Sequence, residues 1–439
     1  MTLHVGVFGH YGNGNLGDEA ITEACVDSAR RLLGADRITL FSIVPDDSAQ
    51  RHDLDAMPIR RESQPVKAGT PWTKPTPPPS SASPLEPVQD GGLRGLLKRS
   101  ALLRSAVNLA RDVVSAPGRY SAEQAFLKQS ADVLADVDLI IVAGSNQYLD
   151  NFGGVWGFPY TLMKWADLCA KTDTSLVFLS IGAGPIDRRL SRYMVRRAIG
   201  KSLFHSYRDR GSLLLIEGES ARLGGVVYPD LACNLQFPTQ QIDFDAERLR
   251  VAINPMPVYG DYWFTQDRTK YIAYLTRLAE LAIHLDAKQC DVTLFPTQTR
   301  DMDAIRDMVE IVRKRSPELA QRLTVTDTAT TQEVMEVIQS AHVIVPTRFH
   351  GTILGILAKR LVVGVCYQAK AMEAMQSAGQ GDYAFMLDDV SSEQLCAAFD
   401  RLIANKATAL PQIAARSDEV RAQIDEQYAQ VAQRLSQRG

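Results

Sequence analysis

Two short apolar runs, separated by a segment of helical length, constrain the fold of this chain more than any other feature. The first run is AHVIV at residues 341–345, and the second is LVVGVCY at residues 361–367. Apolar runs of this length are typical of buried strands, and the segment TILGILAK between them fits a short helix. A strand, a helix and a second strand in this order predict neighbouring parallel strands of one sheet.

Polar and charged residues stand where each of these strands ends. Arg348, His350 and Gly351 lie between the first strand and the helix, and Lys370 follows the second strand. Open α/β sheets bind their ligands at the carboxyl ends of the strands, and a helix start offers free N–H groups to an anion. Two cations and an imidazole at this edge favour a phosphorylated or carboxylated substrate. A buried histidine with surface cations around it is the structural alternative.

The same alternation of apolar strands and helices occupies most of the chain. With 439 residues, the chain is longer than one ordinary domain, and two domains are the natural expectation. We therefore predict an α/β protein with two doubly wound, Rossmann-like domains that face a cleft. The first domain covers residues 1–238 and the second covers residues 239–410. A polar helix at residues 411–439 is expected to cross back to the first domain.

One segment of the first domain breaks this alternation. Eight prolines fall between Pro65 and Pro87, and such a composition does not build a packed core. The segment Leu93–Val114 then combines apolar residues at helical spacing with several arginines and lysines. We predict an insert at about residues 45–119. Its basic helix either packs on its own domain or lies on an anionic membrane surface.

Composition narrows the classes of partner and compartment. The formal net charge is −3, which provides no basic field for nucleic acid. No apolar run approaches the roughly 20 residues of a membrane-spanning helix, and the chain opens on a strand-like run without a signal-peptide pattern. The six cysteines are scattered without metal-ligand spacing, which favours a reducing compartment. We expect a cytoplasmic protein, with the inner face of the membrane as an alternative place.

A glycine-rich segment, GHYGNGNLGDEA at residues 9–20, follows the first expected strand. Its glycines let the backbone approach a ligand closely. Their spacing is not G-x-G-x-x-G, and acidic residues at a helix start repel a phosphate, so this is not a dinucleotide fingerprint. Asp18 is either a helix cap or a carboxylate that faces the cleft and holds or deprotonates a sugar hydroxyl. We expect Asn15 and Glu19 to contact the substrate beside it.

Four motifs together resemble the polysaccharide pyruvyl transferase family. They are GHYGNGNLGDEA, RDRGS at residues 208–212, YPD at 228–230 and, most specifically, TRFHGTILGILAKRLVVGVCYQAK at 347–370. Their order runs through the whole chain except the insert. Residues 144–146, Gly-Ser-Asn, depart from the run of glycines that is usual in the family. The resemblance implies a two-domain fold like that of GT-B glycosyltransferases. It also implies transfer of pyruvate from phosphoenolpyruvate to two hydroxyls of a sugar as a ketal, with release of phosphate.

The resemblance also implies roles for individual residues. Arg208, Arg348 and Lys370 fall on the positions that hold the anionic groups of the donor, and His350 falls on the catalytic histidine. An imidazole suits a general acid because its pKa lies near working pH. We expect Asp18 to be the first candidate for the base and the N–H of Gly351 to face the donor. No metal or cofactor is expected, because the cations neutralise the phosphate.

Two alternatives remain open at the level of the sequence. A nucleotide-sugar glycosyltransferase or epimerase on the same fold would use a basic pair to clamp a diphosphate. A non-catalytic member of a polysaccharide assembly complex would turn over neither donor. The expected partners are phosphoenolpyruvate and a saccharide acceptor, free or lipid-linked, with peripheral membrane contact through Leu93–Val114. Nucleic acid is not expected, and the oligomeric state is left open.

Overall fold

The computed structural model of the protein describes residues 2–12, 14–61, 121–151, 153–238, 240–261, 263 and 265–438. Most of the expected insert, including its proline-rich part and Leu93–Val114, lies outside these residues. The strands, numbered in chain order, are β1 (Leu3–Phe8), β2 (Ala35–Ser42), β3 (Asp55–Pro58), β4 (Leu139–Ala143), β5 (Ser175–Ile181), β6 (Phe204–Tyr207), β7 (Val226–Val227), β8 (Arg250–Asn254), β9 (Asp291–Leu294), β10 (Thr324–Val325), β11 (Val343–Pro346), β12 (Leu361–Val362), β13 (Gly364–Cys366) and β14 (Ala384–Met386).

Helices connect almost all of these strands. They cover Leu16–Leu33, Pro45–His52, residues 121–134, Phe158–Thr172, Arg189–Ile199, Arg210–Glu217, Arg268–Ala287, Asp301–Arg315, Pro317–Arg322, Thr331–Ser340, Phe349–Leu357, Ala369–Ser377, Ser392–Ala404 and Lys406–Ser436. Short 3-10 turns occupy Gly154–Trp156, Leu231–Asn234 and Gly381–Tyr383. Within the part of the chain described here, none of the helices is both long and apolar enough to cross a membrane.

The first sheet has the strand order β3-β2-β1-β4-β5-β6-β7, with parallel pairing throughout. Both of its faces are buried, as alternate residues of β4 illustrate. Leu139 and Ile141 belong to one apolar cluster, whereas Ile140 and Val142 belong to the other. Strands that are buried on both faces form near-continuous apolar runs, which explains why the sequence pattern identifies them.

The second sheet has the order β10-β9-β8-β11-β12 and is also parallel. The run LVVGVCY, expected as one strand, is divided between two sheets. Leu361 and Val362 form β12 beside β11, whereas residues 364–366 form β13, which pairs with β14. The division leaves Lys370 in the first turn of the helix Ala369–Ser377.

Regular structure extends further into the expected insert than its start near residue 45 implied. Pro45 occupies the first turn of the helix Pro45–His52, with Asp46 and Asp47 beside it. Proline and carboxylates both favour a helix start, because the N–H groups there are unpaired and the helix dipole is positive. The strand β3 follows and forms the parallel edge of the first sheet.

The last helix, Lys406–Ser436, contacts elements of both sheets. Ser417 Oγ donates to the carbonyl of Leu357 at 3.0 Å, on the side of the second sheet. Further along, the fully buried Gln427 reaches the first sheet and donates to Ser180 Oγ (3.1 Å) and Ser206 Oγ (2.5 Å). Ser206 Oγ also accepts the N–H of Ser180 at 2.7 Å. The amide of Gln427 therefore completes a buried polar network between β5, β6 and this helix.

Replacement of Gln427 with methionine should lower the free energy of unfolding by about 1–3 kcal/mol, because it leaves the buried hydroxyl of Ser180 without its partner. Gln433→Met on the same helix is the matched control, since Gln433 is exposed, and it should change the value by less than about 0.5 kcal/mol. Urea unfolding of both variants measures the difference. Equal stability of the two variants would show that the network contributes nothing.

Candidate active site

The residues singled out from the sequence lie at carboxyl ends of strands from both sheets. Asp18 follows β1, Arg208 follows β6 and His350 follows β11. Backbone contacts bring the two edges together at the glycine-rich segment. The N–H of Leu16 donates to the carbonyl of Thr297 at 3.2 Å, and Asn15 forms an isolated antiparallel bridge with Gln298. The start of the helix Leu16–Leu33 is thus held against the second sheet.

His350 lies where these edges meet. A Cβ placed on Gly17 would stand 2.1 Å from Nδ1 of His350, so only glycine leaves room for the imidazole beside this helix start. The other ring nitrogen, Nε2, lies 3.9 Å from Oδ2 of Asp230. This nitrogen is buried and has no hydrogen-bond partner among the described residues. An unpaired buried nitrogen at the junction of two sheets is available to a ligand.

The surroundings of His350 act on its pKa in opposite directions. Burial is the largest influence and lowers the pKa. The carboxylates of Asp230 and Asp18 raise it, whereas the cations Arg208 and Lys370 lower it further, and the net result is a pKa below the ordinary value. An anion bound near those cations would offset them and favour the imidazolium.

Asp230 links His350 to Arg208. Its Oδ2 accepts a hydrogen bond from Nη1 of Arg208 at 3.1 Å, and its Oδ1 accepts the N–H of Ala232 at 3.0 Å. Burial alone would raise the pKa of the Asp230 carboxyl, but His350 and Arg208 beside it bring that pKa below its ordinary value. Asp230 is therefore a carboxylate that orients a guanidinium on one side and faces an imidazole on the other.

Arg208 and Lys370 both lie over the aromatic ring of Phe349. The guanidinium carbon of Arg208 is 5.3 Å from the ring centroid, and Nζ of Lys370 is 4.7 Å from it. Burial, followed by the charge of Arg208, lowers the pKa of Lys370 to about 8. No carboxylate of the described residues lies within ion-pair distance of Lys370. Arg208 is paired with Asp230, whereas Lys370 beside it is not compensated by a carboxylate of the described residues, so the two neighbouring cations favour an anion here.

A cleft of about 380 Å³ opens beside this pair of cations. Its walls come from the end of β6, the segment before the turn Leu231–Asn234, the helix Phe349–Leu357 and the last helix. The charged and aromatic members of its lining include Arg208, Asp230, Phe349, Lys370, Glu373 and Arg416. A second cleft of about 480 Å³ shares Arg208 and Lys370 with it and extends towards Gly184 and Leu215.

Asp18 lies near enough to His350 and Lys370 for its charge to raise the pKa of each. Its Oδ1 accepts a hydrogen bond from Ser145 Oγ at 2.7 Å, and its Oδ2 accepts one from Nδ2 of Asn15, also at 2.7 Å. Ser145 belongs to the segment that departs from the usual glycine run, and its φ of 57° lies in the left-handed region. Asn15 also caps the helix, since its side chain accepts the N–H of Gly17. The cap is therefore Asn15 and not Asp18, and the carboxylate of Asp18 is near enough to His350 to raise its pKa.

Arg348, like Arg208, is paired with a buried carboxylate, but its contact is bidentate. Its Nε and Nη2 donate to the two oxygens of Asp301 at 2.6–2.8 Å. Asp301 is completely buried, and its Oδ2 also accepts the N–H groups of Thr297 and Gln298 at 3.0 Å each. The bidentate pair fixes the guanidinium, so that Nη1 is its remaining nitrogen without a hydrogen bond in the described structure.

Two other residues expected at the substrate, Glu19 and Gly351, make close contacts within the protein. Glu19 is fully buried, and its carboxylate accepts the N–H of Gly12 at 2.9 Å and contacts Nε2 of His52 at 2.8 Å. A Cβ on Gly351 would lie 2.9 Å from Cβ of Pro346, so this glycine allows the helix to pack on the end of β11. The structure does not bring the carboxylate of Glu19 together with His350, and close packing explains the glycine.

Two further histidines are candidates for acid–base chemistry. His205 is bound to Glu217 through Nε2 at 2.9 Å, and burial lowers its pKa. His10 lies edge-on to Phe158 at 4.8 Å between ring centroids. Burial lowers the pKa of His10, and the nearby Asp18 partly offsets this. His10 is thus near the site, whereas His205 has a structural partner on the edge of the first sheet.

Sequence reasoning missed two residues that organise the site, Asp301 and Phe349. The local pattern does not single out Asp301, because its partner Arg348 is 47 positions away along the chain. Phe349 was named in the motif without a role, although its position between an arginine and a histidine was a usable signal for a cation–π contact. In the described residues, no three histidine, cysteine or acidic side chains are grouped as metal ligands.

Comparisons with known proteins bear on both sequence and fold. Residues 15–367 match the sequence family described as polysaccharide pyruvyl transferase. A search of curated proteins finds no match.

Solved structures of similar shape all share little sequence with this chain. HepE of Anabaena, solved in complex with UDP, has a TM-score of 0.52 at 10% identity and covers 100% of this chain and 99% of its own. UDP-GlcNAc 2-epimerase from Neisseria meningitidis, bound to UDP-GlcNAc, has a TM-score of 0.55 at 10% identity, over 98% and 99% of the two chains. A glycosyltransferase from Rickettsia africae has a TM-score of 0.55 at 9% identity, over 100% of both chains. The predicted α/β fold of GT-B type is confirmed.

Gly17→Ala should displace the imidazole of His350 without unfolding the protein, because alanine is favourable in a helix but its Cβ would overlap the ring. A ring that moves towards solvent loses part of the burial that lowers its pKa, so the pKa should rise towards 6.5. NMR titration of labelled histidines measures it, with His350→Gln to assign the signal.

Gly200→Ala is the matched control, since Gly200 has ordinary helical φ and its nearest neighbouring atom would be 3.4 Å from the new Cβ. The His350 signal should be the same in this variant as in the unmodified protein. An unchanged His350 titration in Gly17→Ala would contradict the packing described here.

Proposed function

Because the chain belongs to the polysaccharide pyruvyl transferase family, we propose that it transfers pyruvate from phosphoenolpyruvate to a sugar of a polysaccharide or of its lipid- or nucleotide-linked precursor. The product is a ketal, and inorganic phosphate is released. The observation that carries the proposal is the pair of cations, Arg208 and Lys370, over Phe349 and beside His350. We place the reaction in the cytoplasm, in line with the six unpaired cysteines of the described chain.

The donor needs cations because it carries both a phosphate and a carboxylate. Arg208 and Lys370 bind one of these groups above the ring of Phe349. The free Nη1 of Arg348 is directed to the other group by the ion pair with Asp301. Each charge-assisted hydrogen bond of this kind contributes about 1.5–3 kcal/mol. Neither of these roles requires a metal, since permanent or near-permanent cations balance the donor's charge.

His350 is the general acid in this proposal. The π electrons of the donor's double bond take the proton from the imidazolium, which converts the methylene carbon into a methyl group. The adjacent carbon then becomes electron-deficient. The lowered pKa in the unliganded protein means that protonation of His350 depends on the charge of the bound donor. General acids positioned in this way typically contribute about 10²–10⁴ in rate.

Two hydroxyls of the sugar complete the reaction. The oxygen of the first hydroxyl bonds to the electron-deficient carbon, and its proton passes to the carboxylate of Asp18. The bond from that carbon to the phosphate oxygen then breaks, and the phosphate leaves with the electron pair. The second hydroxyl bonds to the same carbon and returns a proton to the neutral imidazole of His350. The proton on Asp18 leaves with the phosphate or with solvent, and both groups are restored.

A phosphate-release screen of phosphoenolpyruvate against lipid-linked and nucleotide-linked sugars tests the proposal. In deuterium oxide, ketal transfer places deuterium in the new methyl group. Heavy oxygen in the bridge between carbon and phosphorus should appear in the released phosphate, because the carbon–oxygen bond breaks. Transfer of the label to free pyruvate would instead indicate a phosphatase, and an enol ether product would indicate a different transferase. Either outcome would overturn ketal formation.

The nucleotide-sugar alternative rests on the GT-B-type fold and on neighbours whose solved complexes contain UDP or UDP-GlcNAc. Their identity with this chain is 10%, and nothing in the described site favours uracil. Calorimetry with UDP-sugars separates the alternatives. Binding of a UDP-sugar together with failure to release phosphate from phosphoenolpyruvate would favour the glycosyltransferase or epimerase. A protein that responds to neither ligand would fit the non-catalytic assembly role.

Replacement of His350 by alanine should lower kcat by about two to four orders of magnitude, while phosphoenolpyruvate still binds. His284→Ala is the matched control, because His284 pairs with Asp400 on the outside of the second sheet. Thermal unfolding of both variants must precede the kinetics. A folded His350→Ala variant that turns over phosphoenolpyruvate near the unmodified rate would contradict the assignment of His350 as the general acid.

The low pKa of Lys370 predicts a dependence of donor binding on pH. The ordinary pKa of 10.5 falls to about 8 in the folded protein, so the ammonium is present below about pH 8 and is lost above it. KM for phosphoenolpyruvate should therefore rise above that pH in the unmodified protein. In Lys370→Arg it should stay level over the same range, since a guanidinium does not deprotonate.

Lys359→Arg is the control for Lys370→Arg, because Lys359 is an exposed lysine paired with Asp418 at 2.7 Å. KM should rise with pH in this variant as it does in the unmodified protein. If KM also rises to the same extent in Lys370→Arg, Lys370 does not bind the donor.

A further inference from the structure

Large apolar side chains that remain exposed in the described residues are concentrated beside the first sheet. Trp156 is the most exposed at 72%, followed by Tyr193 at 58% and Leu190 at 49%. Eight of the nine such side chains lie between residues 156 and 227, and Val325 alone belongs to the second sheet. Packing of the core does not explain why the exposed apolar side chains are concentrated beside one sheet. A contiguous apolar surface usually marks an interaction site.

Five of these side chains occupy three successive connections at the carboxyl edge of the first sheet. We define the apolar rim as Trp156, Leu190, Tyr193, Leu214 and Leu215. The turn Gly154–Trp156 and the helix Arg210–Glu217 both pack against the helix Arg189–Ile199, which brings the three connections together. Leu190 and Tyr193 are three positions apart, so they lie on the same exposed face of that helix.

Cationic side chains surround the apolar rim. Residues 187–201 contain five arginines and one lysine but a single carboxylate, Asp187. Arg188, Arg189, Arg196 and Arg197 are exposed. Among the described residues, Arg197 and Lys201 are the members of this group that pair with a carboxylate, that of Asp167. The surface therefore combines apolar and aromatic side chains with uncompensated positive charge.

We propose that the apolar rim and its arginines form a docking surface for an anionic lipid membrane. Tryptophan and tyrosine suit the boundary between acyl chains and headgroups, because their rings are apolar and carry a polar group. Arginines add attraction to anionic headgroups. The insert segment Leu93–Val114 is a poor occupant of the same surface, since it is itself rich in arginine and lysine. A second copy of the rim would be repelled for the same reason.

The apolar rim is continuous with the candidate active site. Leu215 belongs to the rim and also lines the cleft of about 480 Å³ that contains Arg208 and Lys370. A membrane on this surface would hold its headgroups at the mouth of that cleft. If the function proposed above is correct, the acceptor sugar is carried by a lipid and enters from this side. Membrane docking itself does not depend on that function.

Sedimentation with vesicles tests the proposal on the full chain without donor or acceptor. The probes are vesicles of phosphatidylcholine alone and vesicles that also contain phosphatidylglycerol. The unmodified protein should bind the mixed vesicles, and the triple variant Trp156→Ser, Leu190→Ser, Tyr193→Ser should bind at least about tenfold more weakly. Val325→Ser, which removes an exposed apolar side chain from the second sheet, is the matched control and should bind as the unmodified protein does.

A second variant separates charge from apolar contact. Arg189→Gln with Arg192→Gln should weaken binding to the mixed vesicles by roughly an order of magnitude, whereas Arg313→Gln with Arg315→Gln on the second sheet should not. Failure of the unmodified protein to bind mixed vesicles overturns the proposal. Undiminished binding of the triple variant, or equal binding to both kinds of vesicle, also overturns it.

Activity is measured separately with a water-soluble acceptor. There the triple variant should match the unmodified protein, because none of its three positions lines either of the two clefts. A variant that loses turnover of the soluble acceptor would show that the rim acts on the site itself and would overturn a purely docking role. Vesicle binding without any pyruvyl transfer would leave the docking surface standing and remove only the proposed function.

Discussion

The buried carboxylate of Asp230 is the interaction on which the arrangement of the site depends. It accepts a hydrogen bond from Arg208, caps the turn that follows it and faces Nε2 of His350. A buried ion pair contributes little net stability, but the loss of one partner leaves a buried charge that costs about 3–5 kcal/mol. The guanidinium of Arg208 is therefore held in one place, and Gly182 leaves space for it where a Cβ would stand 2.3 Å from Nη2. Asp230 comes from the first sheet and His350 from the second. The carboxylate of Asp230 therefore interacts electrostatically with side chains from both sheets.

A second buried pair, Arg348 with Asp301, has a different consequence. Asp301 accepts hydrogen bonds from the N–H groups of Thr297 and Gln298 as well as from the guanidinium. These hydrogen bonds fix the conformation of the loop after β9. That loop contacts the glycine-rich segment through Leu16 and Asn15. Arg348 thus influences His350 indirectly, through the position of the helix start that presents Gly17. Arg208 is therefore directed mainly towards the cleft. Arg348 mainly organises the junction of the two sheets.

These pairs also show what could be predicted from the sequence and what could not. The strands and most helices were predictable because their signal is local: apolar runs, glycine-rich turns and helical spacing. Gly17, His350 and Asp230 were all in motifs recognised from the sequence, but their mutual distances arise from contacts between positions hundreds of residues apart. For the same reason nothing in the local pattern indicated that Glu19 would bind His52, or that Asp301 would neutralise Arg348. At the expected start of the insert, a proline followed by two aspartates fits a helix start as well as a loop, and the structure has the helix Pro45–His52 there.

The electrostatics of the unliganded site imply an order of events within the proposed reaction. Burial lowers the pKa of both His350 and Lys370, and the charge of Arg208 lowers each further. An anionic donor stabilises the protonated form of both groups, so by linkage its binding raises both pKa values and takes up protons at a pH between the free and bound values. The imidazolium required for chemistry is then formed mainly after the donor has bound. A neutral sugar has no such effect on either group. In the proposed reaction, the bound donor therefore favours the protonated form of His350 before the neutral acceptor is used.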